Sequence, residues 1–210
     1  MNNKFSPNMI KTYQTCPKKF YYQYIEHLNM PKSTQIFEKG KKIHALANYY
    51  LQGIKIDRIE TALNKEEQAV WQALKQNPYY NMDYFKSEFD ISIKLGDYWL
   101  GGRIDAIVNN GDEFYILDYK TGKTPSNPQY DAQTMIYLLC IDKYLKNYNK
   151  LSFIYINLKD KTNHIIEFSE ELKEEYIKKL SDICQKISQD CLFNKNKPQC
   201  SFCEYEKFCN

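Results

Sequence analysis

Long apolar runs are missing from this chain of 210 residues. Its most apolar run, 135–141, is far shorter than the ~18 residues that a membrane-spanning helix requires. The first eleven residues also lack the apolar stretch of a secretory signal peptide. These two absences predict a soluble, cytoplasmic protein that has no membrane partner.

Arginine is scarce: Arg58 and Arg103 are the two arginines in a chain whose formal net charge is +3. Lysines are concentrated in residues 1–55, which hold nine of them against Glu26 and Glu38. This asymmetry is expected of a flank that binds a polyanion, although a solvated helical face would give the same count. The lysine ammonium is a point charge and cannot form the paired hydrogen bonds of an arginine guanidinium. Phosphate binding by these lysines would therefore be independent of base sequence.

The chain also lacks a complete nucleotide-binding P-loop. Thr121-Gly122-Lys123-Thr124 imitates the end of that motif, but position 117 is Leu where the motif requires Gly, and Pro125 disfavours an immediate helix. No internal repeat, low-complexity tract or helicase motif is present. Any motor or helicase activity would therefore belong to a partner protein.

Three β-rich runs in the middle of the chain predict an antiparallel meander. They cover 88–95, 98–108 and 113–120, and they are joined by Gly96-Asp97 and by the segment 109–112, which contains Asn-Gly. An Asn-Gly step between such runs is the strongest short-range hairpin signal.

Charged residues of this meander are predicted to converge on one face of the sheet. If Asn110-Gly111 form a two-residue turn, Asp105 lies diagonal to Asp118. Across the preceding turn, Glu88 falls opposite Asp105, and Lys120 shares a face with Asp118 because side chains alternate along a strand. Three neighbouring carboxylates repel one another unless a cation lies between them, and hard oxygen ligands favour Mg²⁺ or Mn²⁺.

The order of these residues resembles the active site of the PD-(D/E)XK nucleases. Gly102-x-x-Asp105 on one strand and Asp118-x-Lys120 on the next match its core motif. The segment 118–122, Asp-Tyr-Lys-Thr-Gly, is most similar to the RecB-type branch, and Gln133-x-x-x-Tyr137 matches the motif that follows it there. A salt-bridged surface hairpin is the alternative, but it does not require four ionisable groups on one face.

The resemblance implies a role for each motif residue. The catalytic residues would be Glu88, Asp105, Asp118 and Lys120, of which the three carboxylates would also bind Mg²⁺ or Mn²⁺. Gln133 and Tyr137 would position the DNA strand, with a partly buried polar pair as the alternative. His44 in Gly40-x-x-x-His44 would be a further metal ligand, against the alternative of an ordinary core histidine.

Cysteine spacing points to a second metal centre. Cys200-x-x-Cys203 is followed after five residues by Cys209, and four thiolates suit either Zn²⁺ or a [4Fe–4S] cluster. Cys16, in the segment Tyr13-x-x-Cys16-Pro17, together with these three, resembles the iron–sulfur motif of RecB-type nucleases, including those of CRISPR adaptation. That resemblance implies [4Fe–4S], with Zn²⁺ as the alternative.

The whole pattern predicts an α/β protein with a single domain over residues 1–210. The resemblance implies a restriction-endonuclease-like core with a mixed central sheet flanked by helices, its termini joined by a four-cysteine cluster. The expected parts are a helical segment 1–55, a nuclease core 85–190 and a cysteine segment 191–210. Periodicity predicts helices at 7–28 (broken or kinked at Pro17), 35–52, 58–76, 129–147 and 169–190, and strands at 151–158 and 162–168.

The implied function is that of a metal-dependent DNA exonuclease acting on single strands or DNA ends. DNA repair or recombination, CRISPR adaptation and phage DNA processing are the expected settings, and a helicase or integrase partner protein stays open. The alternative is a non-catalytic iron–sulfur module that binds nucleic acid, or an accessory subunit of a larger complex. Intact Asp105, Asp118 and Lys120 favour the enzyme.

Overall fold

A six-stranded mixed sheet lies at the centre of the computed structural model, which describes residues 3–28, 30 and 34–209. Its strands are β1 (Lys4–Phe5), β2 (Asp83–Leu95), β3 (Tyr98–Asn110), β4 (Glu113–Lys120), β5 (Lys150–Asn157) and β6 (Thr162–Glu167). The α-helices of this part are α1 (Pro7–Thr15), α2 (Pro17–Phe20), α3 (Thr34–Leu51), α4 (Asp57–Thr61), α5 (Lys65–Lys75), α6 (Ala132–Leu145) and α7 (Glu170–Gln189).

Helices cover both faces of this sheet, so the protein is the predicted α/β sandwich with a mixed sheet. The strand order is β1-β3-β4-β5-β6, with β2 on the other edge of β3. The β4–β5 and β1–β3 pairs are parallel, and the remaining pairs are antiparallel. One core cluster packs α1, α6 and α7 against the sheet, and a second packs α3 and α5 against the opposite face. No helix within the described ranges is long and apolar enough to cross a bilayer.

Two of the predicted helical segments are each divided into separate helices. The first is broken at Pro17, as predicted, because Cys16 takes an extended conformation between α1 and α2. The expected single helix at 58–76 is wrong: α4 and α5 are separate, because Asn64 begins α5 with a capping box to Glu67. Trp71 of α5 is buried.

The register of the meander is correct on one side and wrong on the other. Pairs Ser87↔Ala106 and Phe89↔Ile104 confirm that Glu88 falls opposite Asp105. The β3–β4 turn, however, is formed by 111–112, because Gly111 adopts the left-handed φ of 61° at the first turn position. Continuing that ladder from Ala106↔Leu117 brings position 105 level with 118 rather than diagonal to it.

The two faces of the ribbon formed by β2 and β3 exchange sides where Glu88 lies opposite Asp105. Residues two apart on a regular strand share a face, yet Ile104 and Ala106 lie in opposite core clusters. On β2, Glu88 has φ 46°, which is uncommon for any residue other than glycine. Strained backbone of this kind is concentrated at functional sites. Both carboxylates therefore leave the regular ladder at one point.

A gap in the sheet lies beside this point and is closed by α6. β1 pairs with the start of β3 and β4 with its end, so within the described chain 101–105 have no strand partner on that edge. The Tyr137 hydroxyl fills the gap and donates a 2.8 Å hydrogen bond to the carbonyl of Arg103. A Cβ on Gly102 would lie 2.7 Å from that hydroxyl, so glycine is required for this close approach.

Gly101 is where an added methyl group should cost most. A Cβ at this position would lie 2.3 Å from the Ile91 carbonyl oxygen, and backbone cannot move away as a side chain can. Gly101→Ala is expected to lower the free energy of unfolding by about 1–3 kcal/mol in urea denaturation. Gly122→Ala is the control, because nothing lies within 4 Å of its Cβ position. Equal midpoints for the two variants would contradict this packing.

Candidate active site

His44, Glu88 and Asp105 form a group that could bind a divalent metal. One ligand atom from each lies within 4.8 Å of the others. His44 comes from α3, and its Nδ1 is 3.2 Å from Asp105 Oδ1. The other ring nitrogen, Nε2, is 3.2 Å from the Tyr119 carbonyl oxygen, which can only accept a hydrogen bond. A neutral His44 would therefore carry its proton on Nε2 and turn the Nδ1 lone pair towards Asp105, where a metal could bind. Two carboxylates and an imidazole fit Mg²⁺ or Mn²⁺.

Asp118, Lys120 and Gln133 form a second, connected group. Lys120 Nζ lies 2.7 Å from Asp118 Oδ2, which confirms that the two side chains share a face. Gln133 Nε2 donates a hydrogen bond to Asp118 Oδ1, and Lys120 Nζ donates to Gln133 Oε1 at 3.4 Å. Asp118 is buried, and the ammonium of Lys120 is the partner of its Oδ2.

The two groups meet through the main chain of β4. The Tyr119 N–H donates to Asp105 Oδ2 at 3.2 Å, while the Tyr119 carbonyl faces His44. Tyr119, the residue between Asp118 and Lys120, therefore holds two of the predicted metal ligands, Asp105 and His44. Sequence reasoning missed this role because it belongs to the backbone and leaves no signal in residue type.

The charges of the site perturb one another. Burial raises the pKa of Asp118 to about 6, although Lys120 opposes the shift. Burial alone would lower the pKa of His44, but its hydrogen bond to Asp105 and the charges of Asp105 and Asp118 raise it above the usual range. Burial and the charge of Asp105 raise the pKa of Glu88. Carboxylates that resist ionisation without a cation are typical of a catalytic or metal site.

A concave cavity of about 630 Å³ opens onto the metal-ligand group. Its lining includes His44, Glu88 and Asp105, with Lys41 and Arg103 as the cationic residues. Arg103 Nη1 is 3.7 Å from Glu88 Oε2. No role was predicted for Arg103, although the rarity of arginine in this chain and its place inside Gly102-x-x-Asp105 were available signals.

The two residues predicted to contact DNA occupy different settings. Gln133 bridges Asp118 and Lys120, so it supports the catalytic pair directly. Tyr137 is buried, and its hydroxyl is bonded to the Arg103 carbonyl. In this arrangement Tyr137 holds the strand that carries Asp105, and direct contact with DNA stays a prediction for both residues.

All four predicted cluster cysteines line one small cavity. Its volume is about 80 Å³, and it lies between the start of the chain and its last residues. Burial, followed by the nearby thiols of Cys16, Cys200 and Cys203, raises the pKa of Cys209. Four thiols facing one cavity fit a tetrahedral Zn²⁺ or a [4Fe–4S] cluster, both of which bind thiolates.

Protein contacts already hold the two segments of this cavity together. Lys19 and Glu204 form an ion pair at 3.0 Å, and the Tyr205 hydroxyl donates to the Leu28 carbonyl at 2.8 Å. The Tyr22 and Tyr205 rings stack with centroids 5.7 Å apart. The other three cysteines are outside this cavity: Cys140 and Cys184 are buried, and Cys191 is exposed.

The chain is similar to several known proteins. The family model of the PD-(D/E)XK nuclease superfamily matches residues 4–210. The CRISPR-associated exonuclease Cas4 of Francisella tularensis subsp. novicida (strain U112) is 25% identical over 210 residues, covering 97% of this chain and 92% of that protein. The crystal structure of an exonuclease candidate from Eubacterium rectale has the same fold, with a TM-score of 0.61 at 12% identity over 99% of this chain and 88% of its own.

Proposed function

The chain belongs to the PD-(D/E)XK nuclease superfamily, and from this premise we propose that it is a metal-dependent deoxyribonuclease that digests single-stranded DNA or DNA ends. Members of this superfamily use divalent metals. The observation that carries the proposal is the group of His44, Glu88 and Asp105 beside the ion pair of Asp118 and Lys120. Similarity to a CRISPR-associated exonuclease favours CRISPR adaptation as the setting of this activity, with DNA repair, recombination and phage DNA processing as the other settings of the proposal.

Each residue of the site has a distinct task in phosphodiester hydrolysis. Asp105, Glu88 and His44, with Asp118, would hold Mg²⁺ or Mn²⁺, which when bound lowers the pKa of a coordinated water and offsets phosphate charge. Lys120 orients the attacking water and stabilises negative charge that develops on the phosphate. Asp118 and Gln133 fix the ammonium of Lys120 in place, and Tyr119 fixes Asp105 and His44.

We further propose that Cys16, Cys200, Cys203 and Cys209 hold a [4Fe–4S] cluster, with Zn²⁺ as the alternative. Their shared cavity supports a structural metal centre there. The cluster would join the two ends of the chain, far from the acidic site in sequence. Its role in this proposal is structural, because none of the acidic-site residues lines the cysteine cavity.

The decisive assay uses DNA labelled separately at its 5′ and 3′ ends, in single-stranded and duplex form. Protein purified without oxygen is incubated with Mn²⁺, Mg²⁺ or a chelator. Metal-dependent release of labelled mononucleotides or short fragments from ends is expected, and a closed circular duplex should survive. Binding without cleavage under every metal condition would instead favour the non-catalytic module or accessory subunit.

Metal binding should also be measurable without catalysis. Mn²⁺ at 100 times its dissociation constant is expected to stabilise the protein by about 2.7 kcal/mol, because it binds the native state, in which the carboxylates converge, and not the unfolded chain. Thermal melting measures this shift. His44→Asn should reduce it, whereas His164→Asn, on the exposed part of β6, should not. An equal Mn²⁺ response in both variants would remove His44 from the ligand set.

A further inference from the structure

One face of the β2–β3 ribbon is open to solvent beyond the acidic site. On β3, Leu100 and Ile104 are buried against the α6 side, so the residues that alternate with them face the other way. These residues, with their partners on β2, form what we call the open ribbon face: Trp99 with Lys94, Gly101 with Ser92, and Arg103 with Asp90. Five of the six are exposed, and Gly101 is half-buried.

The open ribbon face leads directly to the metal-ligand group. Arg103 Nε and Nη2 each donate a 3.0 Å hydrogen bond to the Asp90 carboxylate. The same guanidinium reaches towards Glu88, at 3.7 Å. Asp105 follows Trp99 by six positions on β3, a path of about 20 Å at an ordinary strand rise. A few nucleotides of an extended strand could therefore follow this face away from the scissile phosphate.

Trp99 is set apart by its surroundings. Its side chain is 44% exposed, whereas Trp71, the other tryptophan, is 1% exposed. Exposed aromatic residues are common, so exposure alone indicates little. Trp99, however, pairs with Lys94 on β2 and with Lys4 on β1, which places a lysine on each side of it on the same face. An aromatic platform between cations is the combination that binds single-stranded nucleic acid.

A cavity large enough for a base lies beside this platform. Its volume is about 690 Å³, and its lining includes Trp99, Lys4, Met9 and the two glycines of β3. Gly101 and Ser92 make the cavity deep, because neither residue has a large side chain to fill it. Asp90 also lines this cavity, and its bidentate partner Arg103 lines the cavity at the acidic site. The Arg103–Asp90 pair is thus the boundary between two adjoining concavities.

We propose that this second cavity is a subsite for an unpaired nucleobase of the DNA strand whose phosphate lies at the metal-ligand group. The base stacks on Trp99, and Lys4 and Lys94 face the neighbouring phosphates. The inference rests on the proposed nuclease function and makes it more specific. A paired base is already stacked inside its duplex, so the bound segment must be single-stranded.

Tryptophan emission provides a test that needs no catalysis. In the Asp118→Asn background, an oligothymidylate titrated with Mn²⁺ present should quench the emission of Trp99 saturably, because Trp71 is buried. Trp99→Ala should abolish the response. Tyr144→Ala is the matched control: this ring is also 44% exposed, but it packs on Phe85 and Phe89 on the opposite side of the ribbon.

Kinetics give a second, positional test in the otherwise unmodified enzyme. Trp99→Ala is expected to raise KM for single-stranded oligonucleotides about tenfold and to leave kcat close to wild type. A single abasic nucleotide moved along the substrate should raise KM at one position for the wild type. At that position the abasic nucleotide should not raise KM for Trp99→Ala, because this variant has no ring on which the base could stack.

The outcomes separate the subsite from the nuclease. Suppose that the wild type cleaves single strands, that Trp99→Ala has the wild-type KM and that DNA does not change the emission of Trp99. The subsite is then wrong and the nuclease stands. An equal effect of Tyr144→Ala would also overturn the subsite. If the wild type releases label from duplex ends but neither binds nor cleaves single strands, this inference fails and the nuclease stands. If the wild type cleaves no DNA in any form, the proposed function fails as well.

Discussion

Asp118→Asn is expected to lower the rate of DNA cleavage by about a thousandfold or more. Asp118 is buried and sits 2.7 Å from Lys120, while Gln133 bonds its other oxygen. Removing its charge therefore weakens metal binding and releases the ammonium that orients the attacking water. The amide retains the shape of the carboxylate, so the fold should persist. Single-turnover cleavage of an end-labelled oligonucleotide with saturating Mn²⁺ measures the loss.

Two comparisons make this result specific. Asp182→Asn changes an exposed carboxylate on α7 and should cleave at the wild-type rate. DNA affinity of the Asp118→Asn protein should stay within a few-fold of wild type, because lysines elsewhere supply most phosphate contacts. Wild-type turnover by the Asp118→Asn protein in Mn²⁺ would show that the catalytic site lies elsewhere.

Cys203→Ser is expected to produce the largest loss of stability. Cys16 and the last cysteines line one cavity although about 180 residues separate the two segments. By analogy with a disulfide that closes so long a loop, a bound metal centre should stabilise the fold by more than about 4 kcal/mol. For a chain of this size that corresponds to a fall in melting temperature of roughly 8–16 °C. Iron content and the brown visible absorption should fall together with it.

Cys191→Ser is the matched control, because that thiol is exposed and lies outside the cavity. It should retain iron, colour and melting temperature. If the Cys203→Ser protein melts like wild type and binds as much iron, the cavity holds no structural centre. If the wild type contains Zn²⁺ and no iron, the [4Fe–4S] assignment is wrong while the four-cysteine centre stands.

Local patterns in the sequence were sufficient for much of this site. Alternation along β4 placed Asp118 and Lys120 together, and turn length across Gly96-Asp97 placed Glu88 opposite Asp105. Both depend on interactions between near neighbours, which residue types encode directly. The same reasoning chose the wrong residues for the β3–β4 turn, because either of two adjacent pairs could form it and only the position of glycine at positive φ decides.

Other features depend on contacts between distant elements and had no local signal. The exchange of ribbon faces at Glu88 and Asp105 is seen in the positive φ of Glu88 and in the opposite packing of Ile104 and Ala106. The insertion of β1 beside the start of β3, which leaves a gap for Tyr137, joins segments nearly 100 residues apart. Two strand residues at the start of a chain give too short a pattern to predict such a partner.

The cavity of cysteines also dictates an order of events during synthesis. At ~5–20 residues per second, the ribosome makes Cys16 roughly 10–40 s before the cysteines at the other end of the chain. The sheet and its helices can form in that interval, while a complete four-thiol site cannot. Insertion of the proposed metal centre would then be among the last steps of maturation. A nascent chain stalled before Cys200 should therefore already resist protease across the sheet and yet contain no stably bound iron.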